Sequence, residues 1–293
     1  MPSSRKDAHL GPPPPRPAGP PDPIPTLPRP PRLPYSPVMS SQVTLVPGRR
    51  KGKVALIPGG ARGIGRAIAL RLAEMGWSVA VAYRTSEQDA QVTCAQVRMH
   101  GTGGLALRAD VSSPEEARGL VDAVNTEWGR IDALVHTAGP YHRVEILDET
   151  PDGWRAMMAN NLDSFFYVSR AVAPQMAAQK SGRILAFAMA NADRVSAQTG
   201  VTAHFIAKTG VLVLVKTLAK ALGKSGVTVN AISPGFIDSG SAPPEELQKM
   251  VKAIPAGYIG TLGDVVGVAA FLLSDEARYV NGANVQVSGG WGL

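Results

Sequence analysis

From residue 53 onward the chain alternates short apolar runs with longer stretches whose apolar residues recur every three or four positions. The short runs read as strands at Val54–Ile57, Val79–Tyr83, Leu105–Leu107, Ala133–His136, Arg183–Ala188, Thr228–Ile232 and Asn284–Val287. The longer ones have helical period at Gly63–Met75, Glu87–Met99, Pro114–Trp128, Asp152–Gln179, Val201–Leu222 and Gly263–Leu273. Ser113-Pro114-Glu115-Glu116 has the N-cap hydroxyl, first-turn proline and early acids of a helix start. This alternation predicts an α/β fold, a doubly wound parallel sheet of the Rossmann type with seven strands, in one domain over residues 51–293. Connections are short except near Asp238–Pro255, which carries an expected helix at Glu245–Ala253 and has the length of a substrate lid.

Residues 1–50 break the pattern. They hold 16 of the 25 prolines, and closely spaced prolines with little apolar surface predict a disordered leader of polyproline II character. The leader also explains the charge. A formal net charge of +7 would suit nucleic acid if it formed a basic face, but residues 1–53 hold nine Lys or Arg against two Asp or Glu, and the remainder has 21 of each. A formally neutral folded part gives no reason to expect a nucleic-acid partner. The single cysteine, Cys94, excludes an internal disulfide and a cysteine-based metal centre, and no metal site is expected. No apolar run reaches the ~18 residues of a membrane span, and no apolar signal segment follows Arg5 and Lys6. The expectation is a cytoplasmic protein without a membrane partner.

The first strand runs through Pro58-Gly59-Gly60-Ala61-Arg62-Gly63-Ile64-Gly65 directly into a helix. Glycines at such a junction let backbone N–H groups approach a pyrophosphate, whose charge the helix N-terminus favours. A fold of this kind that binds NAD places a carboxylate at the end of the second strand for the ribose 2′-hydroxyl. This chain has Tyr83 and Arg84 there. Arg62 and Arg84 suit a 2′-phosphate, because guanidinium forks match phosphate geometry, and the predicted cofactor is NADP(H).

The spacing G-x-x-x-G-x-G at Gly59, Gly63 and Gly65 resembles that of the short-chain dehydrogenase/reductase family, and further motifs follow in the family's order. Asp110-Val111 resembles its adenine-side pair, and His136-Thr137-Ala138-Gly139 its Asn-Asn-Ala-Gly with both asparagines replaced. Asn161 resembles its helix asparagine and Lys208 its lysine. Ser233-Pro234-Gly235-Phe236-Ile237 resembles its Pro-Gly turn beside the nicotinamide, with Ser239 where threonine is frequent. The resemblance covers about residues 53–293 and is nearest to the bacterial 3-oxoacyl-acyl-carrier-protein reductases and related ketoreductases. Besides Arg62 and Arg84, it implies cofactor contacts from Gly59, Gly63, Ile64, Gly65, Asp110, Val111, Ala138, Gly139, Lys208, Pro234, Gly235 and Ile237. It also implies a small-molecule or acyl-carrier substrate and a homodimer or homotetramer. The apolar run Val211-Leu212-Val213-Leu214-Val215, more than one core-facing stripe requires, agrees with helix pairing between copies.

The departures lie in the catalytic set. In the family a Tyr-x-x-x-Lys pair does the proton chemistry: the lysine lowers the tyrosine pKa and holds the nicotinamide ribose, and a serine hydroxyl positions the carbonyl. Here the stretch reads His204-Phe205-Ile206-Ala207-Lys208, with the pair on one helix face but the tyrosine absent. The serine's place falls at Ala188 or Met189 counted forward from the fifth strand, and at Asn191 counted back from His204, as an insertion of about two residues would produce. Asn161, His204 and Lys208 are the expected catalytic residues. A histidine of ordinary pKa, about 6.5, suits proton donation near neutrality, whereas a neighbouring cation such as Lys208 opposes its charging. Tyr141 and His142 fall on a loop expected beside the substrate, with Ser196 and Thr202 as nearby hydroxyls. The leading expectation is NADPH-dependent reduction of a carbonyl, 3-oxoacyl or a related ketone, to an alcohol by hydride transfer. Two others stay open: a catalytically impaired NADP(H)-binding protein acting through a partner, and a reductase of C=C or C=N bonds.

Overall fold

Alternate residues of the first strand, β1 (Val54–Pro58), serve two different layers: Val54 and Leu56 join one hydrophobic cluster, Ala55 and Ile57 another. The computed structural model describes residues 52–240 and 244–292, so the predicted leader over residues 1–50 lies outside the described residues. After β1 come α1 (Gly63–Glu74), β2 (Ser78–Tyr83), α2 (Glu87–Met99), β3 (Gly104–Arg108), α3 (Pro114–Trp128) and β4 (Ala133–His136). The chain continues through α4 (Pro151–Met158), a π-helical turn (Ala159–Asp163), α5 (Ser164–Gln179), β5 (Gly182–Phe187), α6 (Thr202–Leu222) and β6 (Val227–Pro234). It closes with β7 (Ile237–Asp238), α7 (Pro244–Val251), β8 (Gly260–Thr261), α8 (Leu262–Leu273) and β9 (Asn284–Val287).

Seven strands form one parallel sheet in the order β3-β2-β1-β4-β5-β6-β9, the fold class and strand number the sequence predicts. Leu120 of α3, Phe165 of α5 and Val211 of α6 pack on one face, and Ile68 of α1, Val97 of α2 and Val265 of α8 on the other. The signalled start of α3 is built as the sequence implies. Ser113 Oγ accepts the Glu116 N–H at 3.2 Å ahead of Pro114, and α3 stops at Gly129, whose φ of 74° is left-handed.

One expectation fails. The single helix over Asp152–Gln179 is two helices separated by the π-helical turn at residues 159–163. The cause is local competition for backbone acceptors. Asn160 Nδ2 donates to Ala156 O at 2.8 Å, Asn161 Nδ2 to Met157 O at 3.1 Å, and Ser164 Oγ to Asn160 O at 2.8 Å. Three side chains thus reach back four residues each, and the widened turn accommodates them.

The strand order fixes where a ligand fits. From β1 the chain steps outward to β2 and β3, then returns to β4 on the other side of β1, so the connections after β1 and β4 diverge and leave a crevice at the carboxyl ends of those strands. Thr137, just past β4, donates its N–H (3.0 Å) and its hydroxyl (2.9 Å) to Pro58 O at the end of β1, fixing the two lips together.

Candidate active site

At one lip no side chain is tolerated. Gly59 has φ +82°, and a Cβ there would lie 2.7 Å from Ala138 N. A Cβ on Gly65 would lie 2.5 Å from both Gly59 O and Thr137 Oγ1. The glycine turn is therefore pressed against the β4 loop, and glycine is required by close approach rather than by flexibility. The N-terminus of α1, which opens from this turn, has no side-chain cap, leaving its first-turn N–H groups for a ligand.

Gly59, Arg62, Arg84, Asp110, Val111, Ala138 and Gly139 come together as walls of a cleft of about 220 Å³, with Pro140 and Asn160 completing it. Arg62 is exposed and lies 3.6 Å from Asp89. Arg84 Nη1 donates to Asn160 Oδ1 at 2.9 Å and lies 3.6 Å from Asp110 Oδ2. Partial burial alone would raise the Asp110 pKa. Hydrogen bonds from the Ser112 hydroxyl (2.6 Å) and N–H (3.0 Å), together with Arg84, outweigh it and hold the carboxyl below the usual carboxylate range. Gly63 and Ile64 belong to the first turn of α1, Gly63 at φ +52° and Ile64 packed into the second core cluster. Pro234, Gly235 and Ile237 do not wall this cleft. Gly235 donates to Val287 O at 2.9 Å, and Ile237 pairs with Gly260, so the Pro-Gly turn sits against the end of β9.

On α6, His204 and Lys208 both face inward, 6% and 7% exposed. Lys208 Nζ donates to Phe187 O at 2.9 Å, and burial lowers its pKa to about 8. The His204 ring lies by the Pro140 carbonyl, which favours its protonated form, its buried Nδ1 has no partner, and the Tyr141 ring meets it edge-on at 5.1 Å. Burial first, and the Lys208 charge second, push its pKa down to about 3. The ring is therefore neutral at physiological pH. Asn161 is fully buried. Its Nδ2 also donates to Pro140 O, at 3.1 Å, while its Oδ1 has no partner.

Two participants escape the sequence. The Pro140 carbonyl gathers Asn161 and His204, but a backbone acceptor has no letter of its own. His136 is buried edge-on against Phe165 at 5.5 Å, and burial with the Lys208 charge pushes its pKa to about 3. The replaced asparagine motif was its only signal. The serine's place stays empty of a hydroxyl. Ala188 joins the core and Met189 packs against it, while Asn191 adopts φ +69° and sets its amide against Gly292. Thr202 Oγ1 donates to Gln198 O at 2.7 Å and Ser196 Oγ accepts from Gln198 Nε2 at 3.2 Å, so both hydroxyls serve their own loop. His142 pairs with Glu149 at 2.8 Å, and Tyr141 is largely exposed.

These residues fit a nicotinamide dinucleotide: the glycines exclude side chains where backbone must approach it, α1 is uncapped, and Asn161 Oδ1, against the cleft wall at Gly139, has unused hydrogen-bonding capacity; Asn161, His204 and Lys208 do not themselves wall the cleft. Among the described residues no group of three or more His, Cys, Asp or Glu could hold a metal ion, and no helix is long and apolar enough to cross a membrane.

A parallel sheet wound outward from a glycine turn, with a buried lysine on the helix after β5, defines a nicotinamide-dependent oxidoreductase of the short-chain dehydrogenase/reductase family. The chain belongs to that family, and residues 59–292 match the family described as enoyl-(acyl carrier protein) reductase. Within it, the chain is similar to the 3-oxoacyl-[acyl-carrier-protein] reductase FabG of Staphylococcus aureus (strain Mu50), 35% identical over 244 residues that cover 81% of this chain and 97% of the relative. It is 33% identical to the corresponding FabG of Vibrio cholerae over 82% of this chain and 97% of that protein. Among solved structures, a blue fluorescent protein from a metagenomic library in complex with NADPH superposes with a TM-score of 0.77 at 31% identity, covering 83% of this chain and 98% of that one. Acetoin dehydrogenase YohF from Salmonella typhimurium gives 0.75 at 27% identity, covering 82% and 95%.

Proposed function

We propose that this chain is an NADP(H)-dependent reductase that converts a carbonyl, a 3-oxoacyl group or a related ketone, to an alcohol. The observation that carries the reading is that Asn161 and His204 meet at Pro140, a wall of the cleft in which β2 is followed by Arg84 rather than a carboxylate, with Lys208 one turn along α6 from His204. The names of its relatives support the substrate class. The bound cofactor supplies the hydride. The glycine turn and α1 hold the pyrophosphate, and Arg84 and Arg62 hold the 2′-phosphate. Val111, Ala138 and Gly139 would line the rest of the dinucleotide within the cleft. Lys208, anchored on Phe187 O, would donate to the ribose hydroxyls, and Asn161 Oδ1 remains as an unpartnered acceptor. His204 supplies the proton for the developing alkoxide from Nδ1, loaded as imidazolium and discharged to the neutral ring.

Lys208→Ala is expected to lower both turnover and NADPH affinity, measured by initial rates and fluorescence titration, whereas His204→Ala lowers turnover alone. Tight NADPH binding in both variants without turnover in the parent protein would instead favour a binding protein that acts through a partner. We also infer that the chain acts in the cytoplasm as a homodimer or homotetramer. Exposed Phe166 on α5, and Ile206 and Val213 on α6 (Val213 is 60% exposed), support pairing through these helices, and light scattering of the purified chain reads the mass directly.

A further inference from the structure

The Arg84 guanidinium is held from one side. Its Nη1 donates to Asn160 Oδ1 at 2.9 Å and lies 3.6 Å from Asp110 Oδ2, while its Nε and Nη2 donate to no described residue. A guanidinium grips phosphate through two parallel N–H groups, and Nε with Nη2 forms one such edge. Asn160 is itself fixed. It belongs to the π-helical turn, and its Nδ2 donates to Ala156 O at 2.8 Å, which leaves Oδ1 as the amide atom offered to Arg84. The other neighbour, Asp110, is farther away, and its Oδ1 is already occupied by Ser112. Asn160 and Arg84 line the same cleft, with no contribution of charge from Asn160.

On the reading that the cleft takes NADP(H), we propose that Asn160 is a specificity-determining positioning residue: it anchors Arg84 by Nη1 so that the Nε–Nη2 edge is held available for the 2′-phosphate. A neutral amide suits this role. It restrains the cation without placing a negative charge where it would compete with the phosphate, as an aspartate would. The π-helical turn thus has two consecutive uses, Asn160 toward Arg84 and Asn161 toward the Pro140 carbonyl.

The test is fluorescence titration of NADPH and NADH on the full-length chain, with Asn160→Ala, Asn160→Asp, Arg84→Ala and the Asn160→Ala/Arg84→Ala double variant, each first checked for an unchanged thermal melt. Freeing one long side chain that must be re-ordered on binding is expected to weaken NADPH about three- to tenfold in Asn160→Ala, with NADH affinity unchanged. Asn160→Asp, nearly isosteric, is expected to lose more NADPH affinity than Asn160→Ala. In the Arg84→Ala background, Asn160→Ala should have no further effect, because the amide acts only through the guanidinium. Equal losses for both cofactors, an additive loss in the double variant, or a gain in NADPH affinity would each overturn the proposal. A parent protein that binds NADPH and NADH equally would overturn the NADP(H) reading, and this proposal with it. A parent preference that disappears in Arg84→Ala but persists fully in Asn160→Ala would overturn the role of Asn160 alone.

Discussion

Lowering the pH should accelerate this enzyme, and by an amount that follows from the burial of His204. With its pKa pushed to about 3, only about one His204 ring in 10⁴ carries the second proton at pH 7, against about one in four for an unperturbed histidine. Each pH unit downward loads tenfold more imidazolium, and Lys208, with a pKa near 8, stays charged throughout the acid range and adds no slope of its own. At saturating NADPH, kcat for the ketone substrate is therefore expected to rise about 30-fold between pH 7 and pH 5.5 without a plateau. The assay is the initial rate of NADPH absorbance loss, corrected for the cofactor's own acid decay. His204→Ala should remove the slope and lower turnover by about 10²–10⁴-fold, while His204→Tyr should give a nearly flat profile at or above the parent rate at pH 7. A flat parent profile, or a slope that survives in His204→Ala, would refute His204 as the proton donor and turn attention to Tyr141 or water.

Gly65→Ala should abolish NADPH binding and destabilise the fold, because its Cβ would lie 2.5 Å from two oxygens on opposite lips of the cleft; calorimetry with and without NADPH reads both effects, and an unchanged affinity would contradict the close approach. Acid stability offers a separate check on the buried histidines: His136 and His204 have folded pKa values near 3, below the ordinary 6.5, so the unfolded chain takes up protons first. Stability is full above pH 6.5 and falls by about 1.4 kcal/mol per histidine for each unit below it, and His136→Asn should remove about 2 kcal/mol of the loss between pH 7 and pH 5 in urea titrations. An identical loss in that variant would mean that His136 is protonated in the folded protein.

The sheet was legible because its strands are buried on both faces, which leaves uninterrupted apolar runs such as Val54–Ile57, and the start of α3 because Ser113-Pro114 are residues with few other uses. The glycine cradle was legible for the same reason, since close backbone approach admits only one residue type. The split between α4 and α5 was not legible. It accompanies three polar side chains bonding carbonyls four residues back, a choice that Thr126 and Thr217 also make inside uninterrupted helices, so the letters alone do not mark it. The candidate catalytic set was readable as letters but not as chemistry. His204 and Lys208 sit one turn apart in sequence, and that spacing gives the opposing charge of Lys208, but the larger cause of the low His204 pKa is burial, which the spacing does not encode. Asn191, a candidate for the missing serine, turns instead to Gly292 because its left-handed backbone redirects the side chain.

The most direct test of the account is NADPH oxidation by the purified chain over a panel of a 3-oxoacyl thioester, a simple ketone, an enone and an imine, with products identified by mass spectrometry and each reaction repeated with NADH. The account predicts one alcohol formed per NADPH consumed, confined to the carbonyl substrates, with kcat/KM at least about tenfold higher for NADPH than for NADH, a difference of about 1.4 kcal/mol. Reduction restricted to the enone or the imine, equal use of the two cofactors, or tight NADPH binding with no turnover of any substrate would contradict it.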